Sequence, residues 1–448
     1  MYICNMKKLI FFLCLVFSIN KVSAQTMTLQ QCVDYALENN IQLKQSRISA
    51  EESRESLQQS KAALLPSLSA STNQNVSWRP WSQSTVNLAS GTLTSTTSSM
   101  NYNGTYGVSA NMTVWNGGKN TKTVEQNKLQ TQISELNTNE QENNIIEQIA
   151  LLYVEILFQR EAVNVNETVL HSSKVAYDRG KEMYNVGSIS KSDFVQLESQ
   201  MAQDNYSLVT SRTQLDNYKF QLKQLLEITG SDDFDVVAGG VADDRVLAAI
   251  PQKEDVYNAA VRLRPEIQSG RLNVKSNELG IDIAKAGYMP QVSLNAGINT
   301  SNASGMSDAV GTQLKTNLSN SLGMSVSVPI FDQRQNKTAV AKAKLQHANS
   351  QLSLQQAEKD LYKKIENYWL DATNCQQQYI YSETSVKSNR ESYRLLSEKF
   401  QLGLVNIVEL NNGKTNLIQA EQQYLEAKYR TLYNVAMLNF YQGKSLEL

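Results

Sequence analysis

Two stretches of the chain alternate hydrophobic and polar residues with a period of two, Asn101–Trp115 and Ser319–Ile330. Shorter runs of the same kind follow Pro66 and Pro290. The apolar positions are Tyr102, Tyr106, Val108, Ala110, Met112 and Val114 in the first stretch, Leu322, Met324, Val326, Val328 and Ile330 in the second, and Leu68, Ala70, Val76, Trp78, Val292, Leu294, Ala296 and Ile298 in the short runs. Alternation over about ten residues is typical of transmembrane β-strands. An edge strand of a soluble sandwich shows the same pattern, but here too little β-sequence remains for a second sheet.

The segments between these strands have a helical period instead. Residues 119–186 and 333–402 contain no proline, and Gly180 is their only glycine. Apolar residues recur there at three- and four-residue steps, as in Ile145, Ile149, Leu152, Tyr153, Ile156 and Leu157. Each segment could form one helix on the order of 100 Å long, since an α-helix rises 1.5 Å per residue. The pattern predicts long helices packed side by side, and the helices alone are equally compatible with an ordinary coiled coil.

Comparison of the chain with itself indicates a duplication. A shift of 224 residues places Pro66 on Pro290, and a shift of 216 residues places Gly187 on Gly403. The difference between the two shifts falls between Pro66 and Gly107, where the first half has the longer loop. We therefore predict one unit used twice, each consisting of a helix, two strands and two long helices. The predicted segments are a signal peptide at 1–24, repeats at 25–229 and 253–448, and a linker at 230–252.

Four strands per chain are too few to close a barrel. A lipid bilayer tolerates no open sheet edge, and bacterial barrels start at eight strands. If these strands lie in a membrane, the chain must therefore oligomerise. The loops 79–100 and 300–317 are rich in Ser, Thr, Asn and Gly, and we expect them to be exposed caps on the outer side.

The N-terminus predicts export. Lys7 and Lys8 precede an apolar run, and the small residues Val22-Ser23-Ala24 suit signal peptidase. The apolar run is too short to span a bilayer as a helix, and no later segment has 18 consecutive apolar residues. Cys32 and Cys375 remain in the mature chain, where we expect small buried residues rather than a disulfide framework.

Composition narrows the function classes. The chain has 42 basic and 43 acidic residues, and this balance argues against a nucleic-acid binder, which would need a basic face. His171 and His347 have no metal-ligand partner at helical spacing, and no nucleotide-binding or nucleophile motif occurs. We predict no enzyme activity, no metal site and no cofactor. The acidic residues of the linker, including Asp232 and Asp235, lack EF-hand spacing and are more typical of a solvated turn.

A duplicated turn carries the sharpest motif, Tyr184–Phe194 and Phe400–Leu410. Gly187 and Gly403 suit a left-handed helix C-cap. Ser190 with Asp193, and Asn406 with Glu409, have the spacing of a capping box for the next helix. Each motif therefore predicts a tight turn between two long antiparallel helices. Capping alone could account for all of these residues.

An aromatic residue, then x-x-Gly, then an acidic residue six positions on, duplicated across an exported chain, resembles the TolC-like outer-membrane efflux proteins. The resemblance implies a mainly α fold with a small transmembrane β part, in which a homotrimer shares a 12-stranded β-barrel and a 12-helix α-barrel. It also implies an exit duct of a tripartite efflux pump or a type I secretion system. The partners would be outer-membrane lipid, a periplasmic adaptor (membrane fusion) protein and an inner-membrane pump, which supplies the energy.

The resemblance also implies site residues. The adaptor-docking helix tips would be Val186, Gly187, Ser188, Leu402, Gly403 and Leu404. Ser188 and Leu402 depart from the family's Val-Gly-Leu. The periplasmic aperture would be formed by Glu409 and Asn412, of which Asn412 lacks the family's charge. A secreted coiled-coil structural or adaptor protein of the periplasm is the alternative, and it leaves the four strands unexplained.

Overall fold

The computed structural model describes residues 25–78, 84–87, 92–95, 100–230, 234–237 and 243–447. The predicted signal peptide at 1–24 lies outside these residues, as do parts of the loop 79–100 and of the predicted linker, among them Asp232. The chain is mainly helical, as predicted.

The described part of the chain contains ten α-helices. They are α1 (Leu29–Asn39), α2 (Ile41–Ala62), α3 (Lys119–Asn185), α4 (Lys191–Leu225), α5 (Asp243–Val246), α6 (Lys253–Leu263), α7 (Pro265–Lys285), α8 (Val310–Thr316), α9 (Gln335–Gln401) and α10 (Ile407–Tyr441). The predicted unbroken helices are confirmed, because α3 and α9 each run for 67 residues. The single helix expected before each strand pair is in fact two helices, α1–α2 and α6–α7.

The apolar stripe of α3 faces the core, which confirms the predicted helical period. Ile145, Ile149 and Ile156 are completely buried, and Leu152 is partly buried. These side chains pack in one cluster with residues of α1, α4 and α10, including Leu222 and Leu432. Burial of such side chains contributes about 1.5–3 kcal/mol each, so this stripe determines which face of the long helix is turned inward. None of the described helices combines the length and apolar character needed to cross a bilayer.

Eight β-strands lie in the described part of the chain. They are β1 (Gln25–Met27), β2 (Ser67–Trp78), β3 (Ser84–Asn87), β4 (Thr92–Ser95), β5 (Met100–Trp115), β6 (Phe234–Val236), β7 (Gln291–Ala303) and β8 (Ser319–Ser327). The four predicted strands form one antiparallel sheet in the order β2-β5-β7-β8.

The register of this sheet sorts its residues by polarity. Ala70, Val108 and Ile298 are cross-strand neighbours on one face. Ser69, Ser109 and Ser321 lie on the other face, around Gly297. The period of two predicted from the sequence is therefore a real difference between two faces, since successive side chains of a strand point to opposite sides.

Two sequence-based boundaries need correction. The strand expected at Ser319–Ile330 ends at Ser327, because Pro329 has no N–H for the ladder and restricts Val328 before it. The predicted loops also contain regular structure. The strands β3 and β4 form a hairpin in the first loop, and β7 together with α8 occupies much of the second.

The predicted linker contains a strand that sequence reasoning missed. Strand β6 pairs in parallel with β1, the first described strand of the chain. Asp235 in β6 forms ion pairs with Arg160 of α3 and with Lys219 of α4, the latter at 3.1 Å. This part of the linker is therefore held to the helices rather than being a solvated turn.

The chain forms two compact units, and each draws on both predicted repeats. The first unit comprises residues 1–48, 136–268 and 356–448, and the second comprises 49–135 and 269–355. The four-stranded sheet belongs to the second unit, and the tips of the helical hairpins belong to the first. The repeat boundaries themselves stay a prediction. Both remaining cysteines are free and buried, as expected.

Candidate functional site at the helical hairpin tips

The two predicted turns join α3 to α4 and α9 to α10. At the first turn, the Ser188 N–H donates to the Met183 carbonyl at 2.7 Å, and the Gly187 N–H donates to the Tyr184 carbonyl at 3.0 Å. This pair of bonds is the Schellman motif, which satisfies the last carbonyls of the helix. It requires a left-handed residue, and Gly187 has a φ of +76°.

The second turn repeats this geometry. The Leu404 N–H donates to the Lys399 carbonyl at 2.9 Å, and the Gly403 N–H donates to the Phe400 carbonyl at 3.0 Å. Gly403 has a φ of +71°. A Cβ on Gly187 or on Gly403 would have nothing within 4 Å, so backbone conformation alone requires glycine at both positions.

The helices that follow the turns begin with different caps. Ser190 accepts the Asp193 N–H at 3.1 Å, and the Asp193 carboxylate accepts the Ser190 N–H at 3.2 Å, which completes a capping box. Asn406 accepts the Glu409 N–H at 2.9 Å, but within the described contacts the Glu409 carboxylate makes no return bond. The carboxylate of Asp193 is therefore used in its cap, while that of Glu409 is exposed and available.

Glu409 and Asn412 lie one helical turn apart on the exposed face of α10. The opposite face, with Ile407 and Leu410, packs against Leu197 of α4 and Phe400 of α9. This apolar contact fixes the rotation of α10 and thereby directs the two polar side chains to the outside.

Large apolar side chains are exposed at the turns themselves. Val186 is 80% exposed, Leu402 73% and Leu404 70%. Ser188 occupies the position that corresponds to Leu404 and is exposed as well. Leu402 thus presents an apolar side chain at the same place as Val186, so its difference in residue type does not change the apolar character of the tip. These side chains are therefore accessible at the surface of both turns.

A buried polar cluster behind the tips was missed by sequence reasoning. Lys414 of α10 donates to Asp204 of α4 at 2.6 Å and to the Ser173 hydroxyl of α3 at 2.7 Å. Gln200 donates to the other oxygen of the Asp204 carboxylate at 2.9 Å. Burial lowers the pKa of Lys414 more than the neighbouring carboxylate raises it. A signal was present, since Lys414 follows Ile407 and Leu410 at helical spacing on the buried face.

The comparisons with known proteins agree with this fold. The chain matches the outer membrane efflux protein family over residues 32–227 and 256–444. It is 22% identical to the outer membrane protein TolC of Escherichia coli strain K12 over 306 residues, which cover 65% of this chain and 60% of that protein. The match thus spans less than two thirds of that relative's own length.

Solved structures share the fold at low sequence identity. CusC superposes with a TM-score of 0.79 and 16% identity, covering 96% of each chain. The outer membrane channel CmeC of Campylobacter jejuni gives a TM-score of 0.77 and 18% identity, covering 96% of this chain and 92% of CmeC.

The long helices, the four-stranded sheet and the two capped hairpin tips form the fold that this chain shares with these outer-membrane channel structures. The chain belongs to the outer membrane efflux protein family, and it is a protein of the outer membrane. The predicted resemblance is confirmed, and the alternative of a periplasmic coiled-coil protein finds no support. The family is one of transport channels rather than enzymes.

Proposed function

We propose that this protein is a passive exit duct in the outer membrane, serving a tripartite efflux pump or a type I secretion system. The sheet would lie in the membrane and the long helices would extend into the periplasm. An inner-membrane pump would supply the energy, in line with the absence of any nucleotide-binding motif from the sequence.

The exposed apolar face of the sheet carries this proposal. Leu322 is 83% exposed, Leu68 76% and Met324 69%. Water would disfavour such a face, whereas hydrocarbon would not. The polar face, with its serines and asparagines, suits a water-filled interior.

The edges of the sheet support a homotrimer. Among the described strands, β2 and β8 each pair on one side only. An unpaired backbone group in lipid costs several kcal/mol. Each edge strand therefore needs a further β-strand to pair with. Pairing β8 of one copy with β2 of the next gives a 12-stranded barrel from three copies, above the eight-strand minimum of bacterial barrels. The long helices of three copies would similarly form a 12-helix barrel.

The hairpin tips are the proposed docking site for a periplasmic adaptor protein. The turns present Val186, Leu402 and Leu404 on two Schellman motifs of fixed geometry. Binding to a rigid turn costs little ordering entropy, so exposed apolar side chains there are well suited to a partner. Ser188 would contribute a polar contact where the second tip has an apolar one.

Glu409 and Asn412 are the proposed aperture residues. Three copies related by threefold symmetry would gather one free carboxylate each around the mouth, with Asn412 adding no charge. Such a ring would attract cations and bind a polyvalent one.

The test of this function is the mass and conductance of the purified full chain in mild detergent. We expect a trimer that inserts into planar bilayers and conducts ions without nucleotide. A monomer that inserts and conducts would overturn the shared barrel. A chain that stays water-soluble and never inserts would overturn the duct itself.

A further inference from the structure

The four strands and the helices next to them differ sharply in charge. The strands β2, β5, β7 and β8 contain no Asp, Glu, Lys or Arg. Their antiparallel register places all four strand–helix connections at one end of the sheet. Four cations and four large apolar side chains lie next to these connections.

We call these side chains the junction belt. Its basic members are Lys61, Lys119, Arg334 and Lys337, and its apolar members are Trp115, Tyr288, Ile330 and Phe331. Phe331 is 85% exposed, Ile330 96% and Tyr288 50%. Aromatic residues next to cations are the pattern that proteins place at the boundary between hydrocarbon and headgroups.

The nearby carboxylates are engaged with other groups. Asp282 pairs with Lys122 at 2.9 Å and with Lys285 at 3.3 Å. Asp332 accepts the backbone N–H of Asn336 at 2.8 Å and that of Arg334 at 3.1 Å. Within the described part of the chain, no carboxylate forms an ion pair with any of the four basic belt members.

Helix electrostatics do not account for the belt either. Lys61 is in the last turn of α2, where a cation is favoured by the helix dipole. Lys119 begins α3, Arg334 immediately precedes α9, and Lys337 is in the first turn of α9. At these positions the helix dipole disfavours a cation. Three of the four charges thus lie at helix starts, and an external anion would compensate them.

We propose that the junction belt binds the anionic headgroups of phospholipids in the leaflet that faces the periplasm. This inference rests on the proposed function, since it requires the sheet to lie in the membrane. The apolar members would contact the upper part of the acyl chains, and the four cations would contact the phosphates. A Lys or Arg side chain near the membrane surface favours binding to anionic lipid over neutral lipid by about fivefold. Phosphatidylglycerol should therefore be enriched over phosphatidylcholine next to the belt.

Trp115 provides a direct probe because it lies in the belt. A background variant with Trp78, Trp81 and Trp369 replaced by Phe leaves Trp115 as the only tryptophan. The trimer is reconstituted in phosphatidylcholine vesicles that contain phosphatidylglycerol, with brominated chains on one lipid or on the other. Quenching of Trp115 then reports which lipid is adjacent to the belt. We expect about a fivefold preference for phosphatidylglycerol at low salt, with most of it lost at about 1 M salt, where the Debye length is about 3 Å.

Charge variants assign the preference to the belt. Replacing Lys61, Lys119, Arg334 and Lys337 by Gln should abolish it, whereas replacing the three lysines by Arg should retain it. The matched control replaces four exposed lysines of the first unit by Gln, namely Lys44, Lys174, Lys359 and Lys363. This control should keep the full preference.

The outcomes separate the two proposals. Equal quenching by both brominated lipids at low salt would overturn the belt's selectivity and leave the membrane-inserted sheet intact. Equal quenching combined with binding of the trimer to purified peptidoglycan, lost in the four-residue Gln variant, would assign the cations to that polymer instead. No quenching by either lipid would show that Trp115 is outside the bilayer boundary, which contradicts the proposed function itself.

Discussion

Gly180 of α3 and Leu197 of α4 face each other so closely that a Cβ on the glycine would overlap the leucine side chain. The second hairpin has the same contact with the residue types exchanged. There Leu396 of α9 faces Gly413 of α10, and a Cβ on Gly413 would lie 2.5 Å from the Leu396 Cδ1. The shift of 216 residues maps Gly180 on Leu396 and Leu197 on Gly413. The duplicated unit therefore maintains a close helix–helix contact while its two sides have exchanged roles.

This relationship predicts a rescue. Gly180→Leu should destabilise the first hairpin by about 1–3 kcal/mol, because the new side chain would need the space that Leu197 already fills. The exchange variant Gly180→Leu with Leu197→Gly copies the arrangement of the second hairpin, and we expect it to be more stable than Gly180→Leu alone. Thermal unfolding of the trimer measures both. Equal stability of the single and the exchange variants would show that the two hairpins are not equivalent at this contact.

For the buried pair Lys414–Asp204, we expect the removal of either charge alone to lower the stability of the chain strongly. Both side chains are about 5–6% exposed, so removal of one leaves a buried, uncompensated charge. Asp204→Asn should cost about 3–5 kcal/mol of stability. The double variant Asp204→Leu with Lys414→Met should cost less than Asp204→Asn. A double-variant cost equal to the sum of the costs of Asp204→Leu alone and Lys414→Met alone would indicate that the two groups do not interact.

The same lysine predicts a pH dependence. Burial lowers the pKa of Lys414 in the folded chain from its ordinary value of 10.5. Between the folded pKa and 10.5, the unfolded chain binds the proton and the folded chain does not. Stability therefore rises with pH across that window and is constant with respect to this group on either side of it. Unfolding of wild type and Lys414→Met at several pH values should show the wild type gaining relative to the variant as pH approaches 10.5. If the wild type instead loses stability relative to Lys414→Met over this range, the pKa of Lys414 is raised in the folded chain rather than lowered.

The sequence was sufficient for the features that repeat along the chain. Helical spacing from Ile145 to Leu157 identified the buried stripe of α3, and alternation in β5 identified the faces of the sheet. Both patterns depend only on neighbours within one element, so a single sequence contains them.

Contacts between distant segments were not predictable in this way. The pairing of β1 with β6 joins two segments of three residues, too short for a periodic signal. The Gly180–Leu197 contact requires knowledge of which helix faces are adjacent. Lys414 could be recognised on a buried face, but Asp204 lies 210 positions away in the chain and has no local feature that marks it as the partner.

Replacing the left-handed glycines at the tips should lower stability through backbone conformation alone. Gly187→Ala and Gly403→Ala should each destabilise the chain by about 1 kcal/mol, since a Cβ disfavours positive φ without meeting any neighbour. The matched control is Gly280→Ala within α7, where a Cβ would make an ordinary 3.5 Å contact and helix propensity should stabilise by about 1 kcal/mol. Thermal unfolding measures all three. Export should fall in the double tip variant and not in the control. Normal export in the double tip variant would show that adaptor docking does not depend on the geometry of these turns.

Glu409 is the residue for which a role in conduction and a role in capping can be separated most cleanly. Its backbone N–H is held by Asn406 at 2.9 Å, and this bond does not involve the carboxylate. Glu409→Gln therefore retains the cap and removes one charge per chain from the proposed aperture. Trimer stability should be nearly unchanged, apart from a helix-dipole contribution of about 0.3–1 kcal/mol.

The conductance of this variant decides between the two roles. Reconstituted Glu409→Gln channels should lose cation selectivity and block by multivalent cations, because a ring of three carboxylates becomes neutral. Asp193→Asn is the control, since Asp193 occupies the corresponding position of the first hairpin and its carboxylate is engaged with Ser190. That variant should keep selectivity and block, with a loss of no more than the helix-dipole contribution to stability. If Glu409→Gln channels remain cation-selective and blockable, Glu409 only contributes to the start of α10, and the narrowest charged part of the duct lies elsewhere.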